Sequence, residues 1–223
     1  MKTTEYSGNT KPGEIITFGT YPQTADGTDK TLIKWRVLQN TGNELFLLSE
    51  NILNCKQYHS EDVDITWNDS DLRKWLNTEF YNTAFNTAEK KLVKITHCAD
   101  NGDDSPDTED KVFLLSVSEV KALTDKHGED SLSTKRRTIG TEFSKITNDN
   151  GCHLYVYDGK VRDDYIIEHR VAFGCSWWWL RTQGNSSSRA FFIGPRSSVR
   201  SYGRVNLSCY GVRPAFKLDL QQK

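Results

Sequence analysis

The residues of this chain whose types and spacing could do chemistry gather near its C-terminal end. Between Asn185 and Tyr210, Arg189, Arg196, Arg200 and Arg204 are interleaved with Phe191, Phe192, Tyr202 and Tyr210 in a background of serine, asparagine and glycine. That chemistry is recognition. Guanidinium groups give directional contacts, rigid rings give contact area at low entropy cost, and small polar side chains adapt their hydrogen bonds. The candidate ligand-binding residues are Asn185, Ser186, Ser187, Ser188, Arg189, Phe191, Phe192, Arg196, Ser198, Arg200, Ser201, Tyr202, Arg204, Asn206, Leu207, Ser208, Cys209 and Tyr210. The bland alternative is a polar β-ribbon with tight turns, and Gly194, Gly203 and Gly211 fit either reading.

No catalytic or metal-binding set competes with this segment. His59, His97, His127, His153 and His169 are scattered, with no Ser/His/Asp or metal-ligand spacing. Cys55, Cys98, Cys152, Cys175 and Cys209 are odd in number and lack a CxxC pair, so they read as small buried hydrophobes. The carboxylates of 99–111 (Asp100, Asp103, Asp104, Asp107, Glu109, Asp110) do not follow EF-hand spacing, and a solvated loop is the expectation. No catalytic residue, metal or cofactor is therefore expected.

The formal net charge of -1 hides an asymmetry. No acidic residue occurs between Glu168 and Asp219, a span that holds Arg170, Arg181, Arg189, Arg196, Arg200, Arg204 and Arg213. An anionic ligand would explain the bias, and so would drift of neutral positions to arginine.

A second bias lies in the codons. Asn185 to Phe216 contains no Lys, Glu, Gln, Met or Trp, the types that no codon ending in cytosine encodes. Randomising the first two bases of asparagine codons would leave that signature. With the Trp178-Trp179-Leu180-Arg181 opening, the spaced Ala190, Val199, Gly203 and Val205, and the close Gly211-Val212-Arg213-Pro214-Ala215, the segment resembles the variable proteins of diversity-generating retroelements. Phe18-Gly19 and Tyr21-Pro22-Gln23 add to the likeness.

The resemblance implies an α+β fold, C-type lectin-like and of the formylglycine-generating-enzyme type, with small antiparallel sheets, packed helices and long loops. One domain, 1–223, would comprise a scaffold (1–183), a variable segment (185–210) and a closing strand (211–220). It implies a non-enzymatic binding protein, monomeric, whose partner is a protein or glycan on another cell, with no nucleic acid. Display at the cell surface, by a lipoprotein leader not present in this sequence, is the family habit, and a cytosolic chain is the alternative. Two other functions are weighed: a calcium-dependent sugar-binding lectin and a formylglycine-generating-like oxidase. Trp67-Asn68-Asp69 resembles the lectin calcium motif but precedes a helix early in the chain, where Asp69 serves as a cap. The oxidase needs paired thiols, and Cys175 and Cys209 are far apart in sequence.

These residues need a frame. Six Trp, nine Tyr and ten Phe can fill a core without long aliphatic helices, and no apolar run is long enough to span a membrane. Strands are expected at 14–19, 32–38 and 44–49, the last two joined by a turn at 40–43. Leu72, Leu76, Phe80 and Ala84 draw a helical stripe capped by Asp69 or Ser70. Asn86 with Glu89, and Ser116 with Glu119, carry capping-box spacing. Leu92, Val93 and Ile95 are expected on the apolar side of the second helix. Residues 126–150, with Lys135-Arg136-Arg137, read as a solvated loop, and 152–157 with 160–167 as a hairpin. Of the three tryptophans, Trp177 and Trp179 are expected to pack, and Arg213 to be a buried hydrogen-bonder. Ala190, Val199, Val205 and Val212 are expected to anchor the variable segment.

Overall fold

The computed structural model describes residues 9–123, 135–157 and 173–222. β1 (Ile15–Tyr21), β2 (Thr31–Asn40) and β3 (Glu44–Ser49) are antiparallel neighbours in chain order. At the turn between β2 and β3, Gly42 adopts φ 86° and donates its N–H to Asn40 Oδ1 at 2.8 Å. Glycine tolerates that conformation and the asparagine side chain closes the turn.

The helical stripe forms as its spacing dictates. α1 (Asp71–Trp75) runs through a wider π turn, Leu76–Phe80, into α2 (Tyr81–Ala84), burying Leu72, Leu76, Phe80 and Ala84. Residues four apart drift by about 40° per step around a regular α-helix. The wider turn in the middle keeps the stripe on one side. Ser70 is the N-cap, its Oγ accepting from the Arg73 N–H at 3.2 Å, while Asp69 accepts instead from Thr66 and Asn68. α3 (Thr87–Leu92) and α4 (Val117–Ala122) both start with the expected capping boxes. α3 stops at Leu92, where the chain enters β5 (Val93–Lys94), so Val93 is buried but Ile95 is exposed, against expectation.

Two larger sheets result, making the fold α+β and mostly antiparallel. The first has the order β1-β2-β3-β12-β5, with β12 at Ala215–Asp219. β6 (Thr96–Cys98) and β7 (Thr108–Asp110) form a separate ribbon. β8 (Trp178–Gln183), β9 (Arg189–Ile193) and β10 (Val199–Arg204) make an antiparallel meander. β11 (Gly211–Val212) lies parallel to β8, and β4 (Asn54–Cys55) closes the order β10-β9-β8-β11-β4. One hydrophobic cluster takes in residues of both sheets, including Trp35, Trp179, Phe192 and Phe216.

The expected closing strand over 211–220 is two strands in two sheets. Pro214 has no N–H to give a ladder, and the chain changes sheet there. At the joint Arg213 is buried, donating from Nε to Ser49 O at 2.9 Å and from its terminal nitrogens to the carbonyls of Arg136 and Glu50. Its guanidinium carbon lies 5.0 Å from the Trp178 ring centroid, and burial pulls its pKa down to about 10, which leaves it charged at neutral pH. The expected buried hydrogen-bonder is thus the rivet between the sheets.

Two loops expected to be solvated are partly core. Arg136 is fully buried, with Nε donating to Val120 O at 2.9 Å and Nη2 to Lys121 O, so a cation satisfies the last carbonyls of α4. A short helix, α5 (Glu142–Lys145), lies in the same stretch. Residues 124–134 lie outside the described residues. Asp110 is buried too, accepting from Arg73 Nε at 2.6 Å and Trp67 Nε1 at 2.9 Å. The second strand expected at 160–167 lies outside the described residues. Its partner, 152–157, runs extended beside 208–209, with His153 N donating to Ser208 O and Tyr155 N to Cys209 O.

Candidate functional site

β8 supplies the base of the candidate site. Trp178 and Trp179 are both fully buried, on opposite sides of a strand covered on both faces, and their indole N–H groups donate to Arg136 O and Lys56 O. Trp177 precedes the strand and is half-buried. Trp179 is core and Trp177 packs partly against the core, as expected, but Trp178 is fully buried as well: alternation assumes one wet face, and this sheet has none at Trp178.

Cross-strand register carries the surface upward from Trp179. Trp179 pairs with Phe192, and Phe192 with Arg200, so these side chains share one face. Between Arg200 and Gly203 the register shifts, a bulge that turns the strand. Gly203 sits against Ala190, and a Cβ there would meet Phe192 and Trp179. Four rings then form a chain from core to solvent. Trp179 and Tyr210 have centroids 4.8 Å apart, Tyr210 and Phe192 4.7 Å, and Phe192 and Tyr202 5.3 Å. Phe192 is buried and Tyr202 is 57% exposed. Burial also pushes the Tyr210 phenol well above its usual pKa.

Several residues of the segment line each of two separate hollows, and Ser187 also borders a third beside Ile65 and Thr66. Phe192, Arg196, Ser198, Arg200 and Tyr202 border a groove of about 240 Å³ whose other wall is Trp177 and Tyr157. Among the described residues no carboxylate borders it. Asn185, Ser186, Ser187 and Phe191 border a trough of about 340 Å³ against Asp100, Asp103 and Asp104. Phe191 and Phe192 are consecutive on β9 and point to opposite faces, which is why they divide between the two. At Asp100, burial opposes ionisation, but hydrogen bonds from the Ser118 hydroxyl and backbone outweigh it and hold the carboxyl below its usual range.

The remaining candidates are less free than their types suggest. Arg189 is tied to Asp62 at 3.2 Å and to the carbonyl and hydroxyl of Ser188. Ser201 O accepts from Asn185 N at 2.8 Å, while Arg204 is exposed. The turn through Asn206, Leu207, Ser208 and Cys209 is half-buried and sewn to the scaffold. Asn206 O accepts from Gln57 Nε2 at 2.7 Å, Ser208 O from Cys55 Sγ at 3.5 Å, and Leu207 packs on the core. Phe192 and Tyr210, expected as displayed anchors, are packed supports instead. Ala190, Val205 and Val212 are buried as anchors, with Val199 half-buried beside them.

Sequence reasoning missed Tyr157 as a wall of the groove. Its only signal is an aromatic at the end of an extended stretch, and its partner lies 20 residues further on at Trp177, 6.4 Å between centroids. Among the described residues no group of three or more His, Cys, Asp or Glu side chains is placed to hold a metal ion. No helix among them is long and apolar enough to cross a membrane.

The fold and site define an α+β protein whose second, mixed sheet carries a loop-flanked, arginine- and aromatic-rich edge. The chain belongs to the family described as Domain of unknown function (DUF6273), which matches residues 42–220 and so takes in both hollows. Comparison with the curated proteins and with the solved structures gives no match.

Proposed function

We propose that this chain is a non-enzymatic ligand-binding protein in which a C-type lectin-like scaffold of the formylglycine-generating-enzyme type displays a surface diversified by a retroelement. The observation that carries the reading is the division of labour along β9 and β10. Arg200, Tyr202 and Arg204 face water, while Ala190, Gly203 and Val205 beside them are buried. Exposed positions change identity at little cost in stability, whereas buried ones do not. The partner is a protein or glycan on another cell, bound by a monomer exported to the cell surface.

The adjoining DNA tests the proposal. A near-copy of the segment with AAC or AAT codons at the varied positions, beside a reverse transcriptase gene, is the expected finding. Sequences of sister isolates that vary at Ala190, Gly203 and Val205 as freely as at Arg200, Tyr202 and Arg204 would overturn it.

A further inference from the structure

The groove between Trp177 and β10 has a lining that selects its ligand. Resting on the recognition reading above, the geometry points to an acidic glycan, a sugar chain bearing carboxylate or sulfate groups, as the ligand class of this groove.

Charge is the first argument. Arg36, Arg73, Arg181 and Arg189 each face a carboxylate of this chain, Glu50, Asp110, Glu119 and Asp62 in turn. The side chains of Arg200 and Arg204 make no hydrogen bond or ion pair with any described residue, and both are exposed on β10 with Tyr202 between them. Arg196 adds a second guanidinium to the groove wall. A guanidinium presents donors only, in a fork that matches a planar carboxylate or a sulfate.

Donor balance is the second. Besides Arg196 and Arg200, the polar side-chain groups that the described residues bring to the groove are the hydroxyls of Ser198, Tyr157 and Tyr202 and the indole N–H of Trp177, with no carboxylate or side-chain amide among them. A peptide brings one N–H per residue that must find an acceptor, and this wall is poor in acceptors. A sugar hydroxyl can accept from the wall and turn its own proton to water. An oxyanion brings acceptors alone.

Shape is the third. Trp177, Tyr157 and Tyr202 bring three aromatic rings to the lining of the groove, apolar area that a bare inorganic anion would leave uncovered and that the C–H face of a pyranose covers. Volume agrees, since about 240 Å³ is on the order of one or two sugar units.

The experiment is titration calorimetry of the whole chain with four probes of matched length: an oligogalacturonate, a sulfated oligosaccharide, a neutral oligogalactose and an oligoglutamate. Binding of one or both acidic glycans, weakening as salt rises, and no binding of the neutral sugar is the expected result. Arg200→Ala should weaken it by about tenfold or more and Arg200→Lys by less, because lysine keeps the charge and loses the fork. Lys34→Ala, an exposed cation on β2, controls for diffuse charge and should leave affinity unchanged. Binding of neither acidic glycan, binding of the oligoglutamate in their place, or an Arg200→Ala effect no larger than that of Lys34→Ala overturns the inference. A chain that ignores all four probes but loses a different ligand on Tyr202→Ala refutes the ligand class alone. Acidic-glycan binding indifferent to every substitution in 185–210 refutes the recognition reading with it.

Discussion

Tyr202 stands edge-on against Phe192, ring centroids 5.3 Å apart and planes at 86°, so the most exposed ring of the segment rests on one of its most buried. The two residues should therefore respond in opposite ways. Tyr202→Ala is expected to cost about 1 kcal/mol of stability or less, and Phe192→Ala about 3 to 5. Urea denaturation of the two variants checks this, and comparable losses would mean that Tyr202 is part of the core.

Tyr210 separates from Tyr202 by the same logic. Its ring touches both Trp179 and Phe192, so Tyr210→Ala should lower stability by about 2 kcal/mol, read as a shift in denaturation midpoint. Any loss of ligand binding in that variant would follow from a loosened support.

Gly203 is a position in the segment with no room for a side chain. A Cβ there would lie 2.8 Å from Phe192 Cδ1, 2.8 Å from Trp179 Cζ3 and 3.0 Å from Ala190 O. Gly203→Ala should cost about 1 to 3 kcal/mol through overpacking, whereas Arg204→Ala next to it should cost almost nothing. Thermal melts of the pair decide it.

Asp110 is the structural member of the acidic loop. Asp110→Ala leaves Arg73 and the Trp67 N–H without their buried acceptor and should cost about 3 kcal/mol or more. Asp103→Ala, at an exposed position in the same loop, should be silent in the same denaturation assay.

His97 bridges Glu109 at 3.0 Å and Asp107 at 3.1 Å across the β6–β7 ribbon. The Glu109 hydrogen bond, with help from Asp107, raises its pKa above the usual histidine value. A pKa raised on folding means that the imidazolium's stabilising contribution is complete below the unfolded pKa and lost as pH rises through the folded one. Proton NMR titration of the His97 ring should show the raised value, and Glu109→Gln should return it toward normal. An unchanged midpoint in that variant would exclude Glu109 as the cause.

What the sequence determined by itself was local. The caps at Asn86 with Glu89 and Ser116 with Glu119, the β2–β3 turn and the buried helical stripe are each written within a few neighbouring residues, where hydrogen-bond reach and helical period leave one outcome, whereas the choice of Ser70 over Asp69 as the first cap was left to the structure. The apolar anchors Ala190, Val205 and Val212 were legible for the same reason. Tertiary structure alone decided that Phe191 and Phe192 serve different hollows and that Trp177, not Trp178, borders the groove. It also decided that Arg136 and Asp110 are core, and that Arg213-Pro214 carries the chain from one sheet to the other. Each of those depends on a partner far along the chain, such as Val120 for Arg136 or Ser49 for Arg213. Which partner arrives is set by the packing of whole sheets, a quantity that no short window of residues contains.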